Sequence, residues 1–126
     1  MIRQETSLRH TGIATFCKAA YVPDLDQLDA DVGVIGVPTD FAASMRPGCR
    51  QAPRAIRDAS TRFGWLGAPA GSSGYFDVNS RDFRMQGVRL ADCGDVDIAF
   101  SDDARNHARI ESMVRGVLGR GALPVI

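Results

Sequence analysis

The sequence predicts an α/β domain, a parallel sheet with helices packed on its faces, and three observations carry that prediction. "DVGVIGVP" at 31–38 is a short, continuous apolar run rich in valine and isoleucine, the pattern of a strand buried on both faces. Two further short runs follow, at about Val88–Cys93 and in "ALPVI" at 122–126. Between the three runs lie two stretches of helical period, long enough to cross over from one parallel strand to the next. The order is β-α-β-α-β, and its crossovers should be right-handed.

Residues 1–30 read as an irregular N-terminal segment, with Gly12 and Pro23 as breakers and one helical turn where Leu25 and Leu28 stand at i, i+3. The first strand ends at Pro38. The first helix starts near Pro53, because proline's fixed φ suits the first helical position and its missing N–H would be unpaired there anyway. Ala52, Ala55, Ile56, Ala59 and Phe63 share one face, which is expected to pack on the core. Arg54, Arg57, Asp58 and Arg62 fall on the others. "GWLGAPAGSSGYF" at 64–76 has no period and reads as loop. The second helix occupies 101–121, capped by Ser101 or Asp102, with Asp103 also at the positive end of its dipole. Its buried stripe is Ile110, Met113, Val114, Val117 and Leu118, and Gly119 or Gly121 closes it. Residues 1–126 thus make a single domain, irregular over 1–30 and β-α-β-α-β over 31–126.

Composition narrows the partners. Apolar residues make up 44% of the chain, enough for a core, and 15 basic residues balance 15 acidic ones. A net charge of zero points away from nucleic acid and anionic membranes as partners. No apolar run reaches the roughly 18 residues of a membrane span. The start, "MIRQETSLRHTG", lacks the apolar stretch of a secretory signal. Three cysteines without a C-x-x-C spacing read as reduced thiols, which points to the cytoplasm.

Candidate chemistry gathers where strands end. In open parallel sheets, ligands bind at the carboxyl ends of the strands. The loop after the first strand, "PTDFAASMRPGCRQA", offers Asp40 to orient a cation and Arg46 or Arg50 to clamp an anion. The plainer reading is a Pro47-Gly48 turn with its arginines in ion pairs. "DCGDVD" brings Asp92, Asp95 and Asp97 to the end of the second strand. Clustered carboxylates can bind Mg²⁺ or Mn²⁺, but no histidine lies near in sequence, and hydrogen bonding to turn amides explains them better. The glycines of 64–76 follow a helix and fit neither a dinucleotide nor a P-loop fingerprint. His107 reads as a surface residue, and His10 carries no pattern.

Taken in order, several stretches resemble the agmatinase branch of the ureohydrolase (arginase/agmatinase) family. "TGIATFCKAAYVPD" at 11–24 is similar to that family's N-terminal Gly-Ile-Ala-Thr-Phe segment. "DVGVIGVPTDFAASMRPGCRQAPRAIRDAS" at 31–60 resembles its first strand, its Arg-Pro-Gly-x-Arg loop and its Gly-Pro-x-x-Ile-Arg helix start. "LADCGDVDI" at 90–98 resembles its second strand, and "GRGALPVI" the approach to its third. The resemblance implies the first portion of a three-layer α/β/α fold, with strand order 2-1-3. It further implies a hydrolase in which two Mn²⁺ ions share a hydroxide that attacks a guanidinium carbon, releasing urea and an amine.

The family's metal-ligand motifs begin after the third strand, and no residue of this sequence matches one. Asp92, Asp95 and Asp97 align with the second-strand turn, so the resemblance assigns them no metal and no catalytic residue falls within the chain. Asp40 and Arg46 are the residues expected to shape the pocket mouth, while Arg50 and Arg54 are expected to make structural ion pairs. Ala52 stands where the family usually has glycine and would be strained there if that backbone required positive φ. The expectation is an N-terminal portion, inactive by itself, of a hydrolase acting on agmatine or a related guanidino compound. Its partners would be that substrate, copies of itself or a full-length homologue. The alternatives are a non-catalytic subunit or pseudoenzyme docking on a full-length ureohydrolase, and a small Rossmann-like binding module.

Overall fold

A computed structural model of the protein describes residues 10–41, 43–64, 66 and 74–126. In chain order its strands are β1 (Ala20–Tyr21), β2 (Val32–Gly36), β3 (Tyr75–Asp77), β4 (Asp82–Arg84), β5 (Leu90–Asp95) and β6 (Leu123–Val125). Its α-helices are α1 (Ala52–Ser60) and α2 (Asp103–Gly119).

The four strands β1-β5-β2-β6 form one parallel sheet in that spatial order. The three strands legible in the sequence are β2, β5 and β6, and they lie second-first-third as expected. β1 is an addition that extends the sheet beyond β5, with Ala20 opposite Ala91 and Tyr21 opposite Asp92. The described part of the N-terminal segment is therefore tied to the fold. Lys18 Nζ donates to the carbonyls of Thr11 and Ile13, and the Val22 amide to that of Asp92. A two-residue strand has no periodicity to read.

β3 and β4 form a separate antiparallel hairpin whose Phe76 and Phe83 rings meet edge to face, 5.3 Å between centroids. Tyr75 and Phe76 were expected in a loop. The rest of that loop reading falls largely on residues 65 and 67–73, outside the described residues.

The helices cover opposite faces of the sheet, and two glycines of β2 set how closely. A Cβ on Gly33 would lie 2.9 Å from Val117 Cγ1 of α2. One on Gly36 would lie 2.9 Å from Pro53 Cβ of α1. Side chains three apart on a strand point to opposite faces, so each glycine admits a different helix. The α2 side holds the apolar core, where Ile35, Ala91, Cys93 and Val117 are buried with Leu28 and Ala122. Ile110, Met113 and Val114 of α2 pack against it, as their spacing predicts. Leu118 departs from that stripe and is 54% exposed, one residue past the buried Val117. Asp102 is the N-cap and accepts from the Arg105 amide, and Gly121, at φ 76°, supplies the left-handed residue after α2.

The α1 side is built differently. The face expected to pack inward is turned out, with Ile56 54% and Phe63 42% exposed and Ala52, Ala55 and Ala59 also exposed. The helix meets the sheet through Pro53, Arg57 and Ser60, at i, i+4 and i+7. An apolar stripe on a short helix identifies a surface that avoids water, and here a buried charge on the sheet selects the other face. Ala52 has helical φ −60° and ψ −46°, so alanine is unstrained there. Among the described residues, no helix is long and apolar enough to cross a membrane.

Candidate functional site

β2 and β5 end side by side, with Gly36 opposite Asp95. The loops that leave them enclose an open cleft of about 860 Å³ at the carboxyl edge of the sheet. Pro38, Asp40, Phe41 and Gln51 line it from the first loop, and Asp95 to Ile98 with Phe100 from the second.

The first loop is organised by Asp40. Its carboxylate accepts from the backbone amides of Gly48 (3.0 Å) and Arg50 (3.1 Å) and pairs with the Arg50 guanidinium. Those contacts, Arg50's side chain foremost, hold the Asp40 carboxyl below its ordinary value. One side chain thus closes the Arg46-Pro47-Gly48 turn and pre-positions the start of α1. Arg50 makes the structural ion pair expected of it. For Arg54, which lies on the exposed side of α1, no such pair forms with the described residues. Asp40 lines the cleft, whereas Arg46 is exposed and outside the lining. Asp40→Ala is expected to speed hydrogen exchange at the Gly48 and Arg50 amides while the β5 amides keep their protection. Unchanged exchange at Gly48 would mean that the turn is held by something else.

The second loop has two anchors. The Val96 amide donates to the Gly36 carbonyl at 2.9 Å. Asn106, buried in the first turns of α2, grips Ala99 from both sides, accepting from its amide at 2.8 Å and donating to its carbonyl at 2.9 Å. Sequence reasoning missed Asn106, because a polar residue in the first turns of a helix normally reads as exposed.

It missed Arg57 as well, and Arg57 is the centre of the polar layer. Its guanidinium donates to Asp92 through Nε (2.7 Å) and one terminal nitrogen (3.0 Å), and to Asp95 through the other (2.5 Å). Asp92 is fully buried and also accepts from the amides of Phe16 (2.8 Å) and Gly94 (3.0 Å). Burial alone would push the Asp92 carboxyl up. The hydrogen bonds from Arg57, Phe16 and Gly94 outweigh that and leave it below its ordinary value. The Ser60 hydroxyl completes the layer, donating to the Arg57 carbonyl and accepting from the Cys17 amide. One legible signal was present: an aspartate in an apolar strand needs a cationic partner.

Asp97 is held by Arg109, which reaches its carboxylate at 3.1 Å and its carbonyl at 2.7 Å. All three acids are therefore committed to arginines or amides. Among the described residues, no three His, Cys, Asp or Glu side chains come together as a metal-holding group. This donor set does not fit Mn²⁺, and no catalytic step through a metal is assigned to these residues. Nor do the cysteines offer a nucleophile in the core. Cys17 and Cys93 are buried and burial raises their thiol pKa values, while Cys49 is exposed.

Comparison with known proteins accounts for the architecture. Over 74 residues the chain is 40% identical to an agmatinase of Sodalis glossinidius, covering 59% of this chain and 22% of that protein. Over 118 residues it is 32% identical to a guanidinobutyrase of Pseudomonas aeruginosa, covering 93% of this chain and 34% of the other. Among solved structures, a hypothetical agmatinase from Burkholderia thailandensis superposes with TM-score 0.72 at 25% identity, over 98% of this chain and 38% of its own. The proclavaminate amidino hydrolase of Streptomyces clavuligerus gives 0.66 at 28% identity, over 88% of this chain and 33% of its own. The chain thus spans between about a fifth and two fifths of these relatives. The sequence pattern of the Arginase family matches residues 30–126, from the approach to β2 through β6, and on that match the chain belongs to the arginase family.

Proposed function

We propose that this chain supplies the N-terminal β-α-β-α-β portion of a manganese-dependent hydrolase that converts agmatine or a related guanidino compound to urea and an amine. The observation that carries the reading is the match to an agmatinase, a guanidinobutyrase and an amidino hydrolase across 59–93% of this chain but only 22–34% of theirs. The cleft at the ends of β2 and β5 supports it, since that is where an open parallel sheet binds ligands. In this reading the chain's residues build one wall of the substrate pocket. Asp40 fixes the loop at the mouth, and Arg46 extends from that same loop. The metal is held by residues beyond the region shared with the relatives.

The test is urea release with Mn²⁺, from agmatine and from 4-guanidinobutyrate. This chain alone is expected to give none. A chimera that continues it with the remainder of the Pseudomonas aeruginosa guanidinobutyrase is expected to release urea. Urea from this chain alone would refute the division of labour, and a folded chimera that releases none would refute the hydrolase reading.

A further inference from the structure

Residues 11–19 lie against the polar layer before the chain enters β1, and their backbone is strained. Cys17 and Lys18 follow one another at φ 49° and 59°, in the left-handed region that costs every residue but glycine. Both are buried. Strain of this kind persists only where surrounding contacts over-determine it, and it collects at sites that switch or clamp. The contacts here are few. The Phe16 amide donates to the Asp92 carboxylate at 2.8 Å, and the Cys17 amide to the Ser60 hydroxyl at 2.8 Å. The Thr15 hydroxyl donates to the Ala19 carbonyl at 2.6 Å. Lys18 Nζ reaches back to the carbonyls of Thr11 (2.5 Å) and Ile13 (3.0 Å). Among the described residues Lys18 forms no ion pair. A buried ammonium held by neutral oxygens alone is costly, so this anchor is also a weak point.

The same segment forms a wall. Ile13, 74% exposed, and Ala14 close one side of a chamber of about 730 Å³, which Gln51, Arg54, Arg57 and Asp95 line from the other sides. Gln51 and Asp95 also line the cleft, so the chamber is a side compartment of it. The downstream end of the segment is fixed, because Ala20 and Tyr21 pair with β5. A movement of the wall therefore has to turn at Cys17 and Lys18, where the backbone is already out of its preferred region.

We propose that residues 11–17 are a strap that opens and shuts at Cys17–Lys18, with the Lys18 ammonium as its catch and the side chamber behind it. Shut, the strap gives Asp92 one of the four hydrogen bonds its carboxylate accepts, and Arg57 passes that position on to Asp95 in the cleft wall. Open, it leaves Asp92 to Arg57 and the Gly94 amide, and the chamber loses its outer wall. The device belongs to this chain and does not rest on the hydrolase reading.

The cysteines report the opening at three depths. Cys49 is exposed, Cys17 is buried in the strap and Cys93 is buried in the core. The full 126-residue chain is treated with iodoacetamide under native conditions, and labelling is followed peptide by peptide by mass spectrometry. Cys49 is expected to react first, Cys17 more slowly as the strap opens, and Cys93 only as the whole domain unfolds. Lys18→Ala removes the catch and should speed Cys17 labelling about tenfold, the effect of losing hydrogen bonds to a charged group. Cys93 should stay protected, which also shows that the variant is folded. Lys18→Gly removes the same ammonium but relieves the left-handed strain, so Cys17 should label roughly fivefold more slowly than in Lys18→Ala. At an ordinary position the order would be the reverse, because glycine adds freedom to the open chain. Ser60→Ala takes the acceptor of the Cys17 amide away from α1 and should speed Cys17 labelling as well. Equal labelling of Cys17 and Cys93 in every variant would mean that the strap opens only with global unfolding, and the proposal fails. It fails too if Lys18→Ala leaves Cys17 labelling unchanged, or if Cys17 labels faster in Lys18→Gly than in Lys18→Ala.

Discussion

Replacing Arg57 by alanine is expected to destabilise the fold by about 3–5 kcal/mol, the cost of leaving a buried charge without its partner. Asp92 is fully buried, and Arg57 supplies two of the four hydrogen bonds that its carboxylate accepts. The amides of Phe16 and Gly94 remain in the variant but cannot neutralise the charge. The loss would spread, because the same guanidinium anchors α1 and Asp95 and lies beside the Ser60–Cys17 link to the N-terminal segment. Urea denaturation of the wild type, Arg57→Ala, Asp92→Asn and the double variant measures it. The double variant should be less destabilised than the sum of the two single changes, since the second removes the charge that the first exposes. Additive losses would mean that packing of the arginine stem, not charge, holds the helix.

The same pair sets an acid limit. Asp92 has a native pKa below its ordinary value of 3.8, so the native state binds fewer protons than the unfolded one as pH falls toward that value. Its contribution is complete above about pH 4 and is lost as pH drops through the lowered native value. Acid unfolding of the wild type should therefore begin below pH 4, and Asp92→Asn should be less stable at neutrality but flatter with pH in that range. Equal acid slopes for both proteins would remove Asp92 as the titrating group.

What the sequence made legible follows from where periodicity exists. β2, β5 and both helices announce themselves, because a strand buried on two faces and a helix with an apolar stripe leave patterns several residues long, and the three-residue β6 shows only through the apolar run ALPVI around it. β1 and the β3–β4 hairpin do not, since strands of two or three residues have too few positions for a period. The α1 error is more instructive. Its stripe of Ile56 and Phe63 reads as a face that packs on the core, but the sheet offers α1 the carboxylate of Asp92, and Arg57 points there instead. The stripe is left exposed, Ile56 by 54% and Phe63 by 42%. For the candidate site, the loop after β2 was legible as turn chemistry, and Asp40 does close that turn. The grips of Arg57 and Asn106 were hidden, because each depends on a partner 35 or 7 residues away that only the fold brings near.

Substituting Gly36 by alanine is expected to cost about 1–3 kcal/mol, a large effect for one methyl group, because it overpacks the contact between β2 and α1. Gly36 ends β2 beside an irregularity in its pairing with β5. The added Cβ would stand 2.9 Å from Pro53 Cβ and equally close to the carboxyl carbon of Asp95. Asp95 cannot simply swing aside, since Arg57 holds it, and Pro53 cannot retreat without lifting the start of α1 from the sheet. Either way the strain enters the polar layer, and the cleft wall formed by Asp95 and Val96 moves with it. A cycle with Asp95→Ala identifies the rigid neighbour. If the carboxylate is the obstacle, Gly36→Ala should cost markedly less in the Asp95→Ala background. If the cost is the same in both backgrounds, the obstacle is Pro53, and the spacing between β2 and α1 is set by backbone and proline ring alone. No loss of stability in Gly36→Ala itself would show that α1 rides loosely on the sheet, and the pre-positioned loop wall derived from Asp40 would then lose its support.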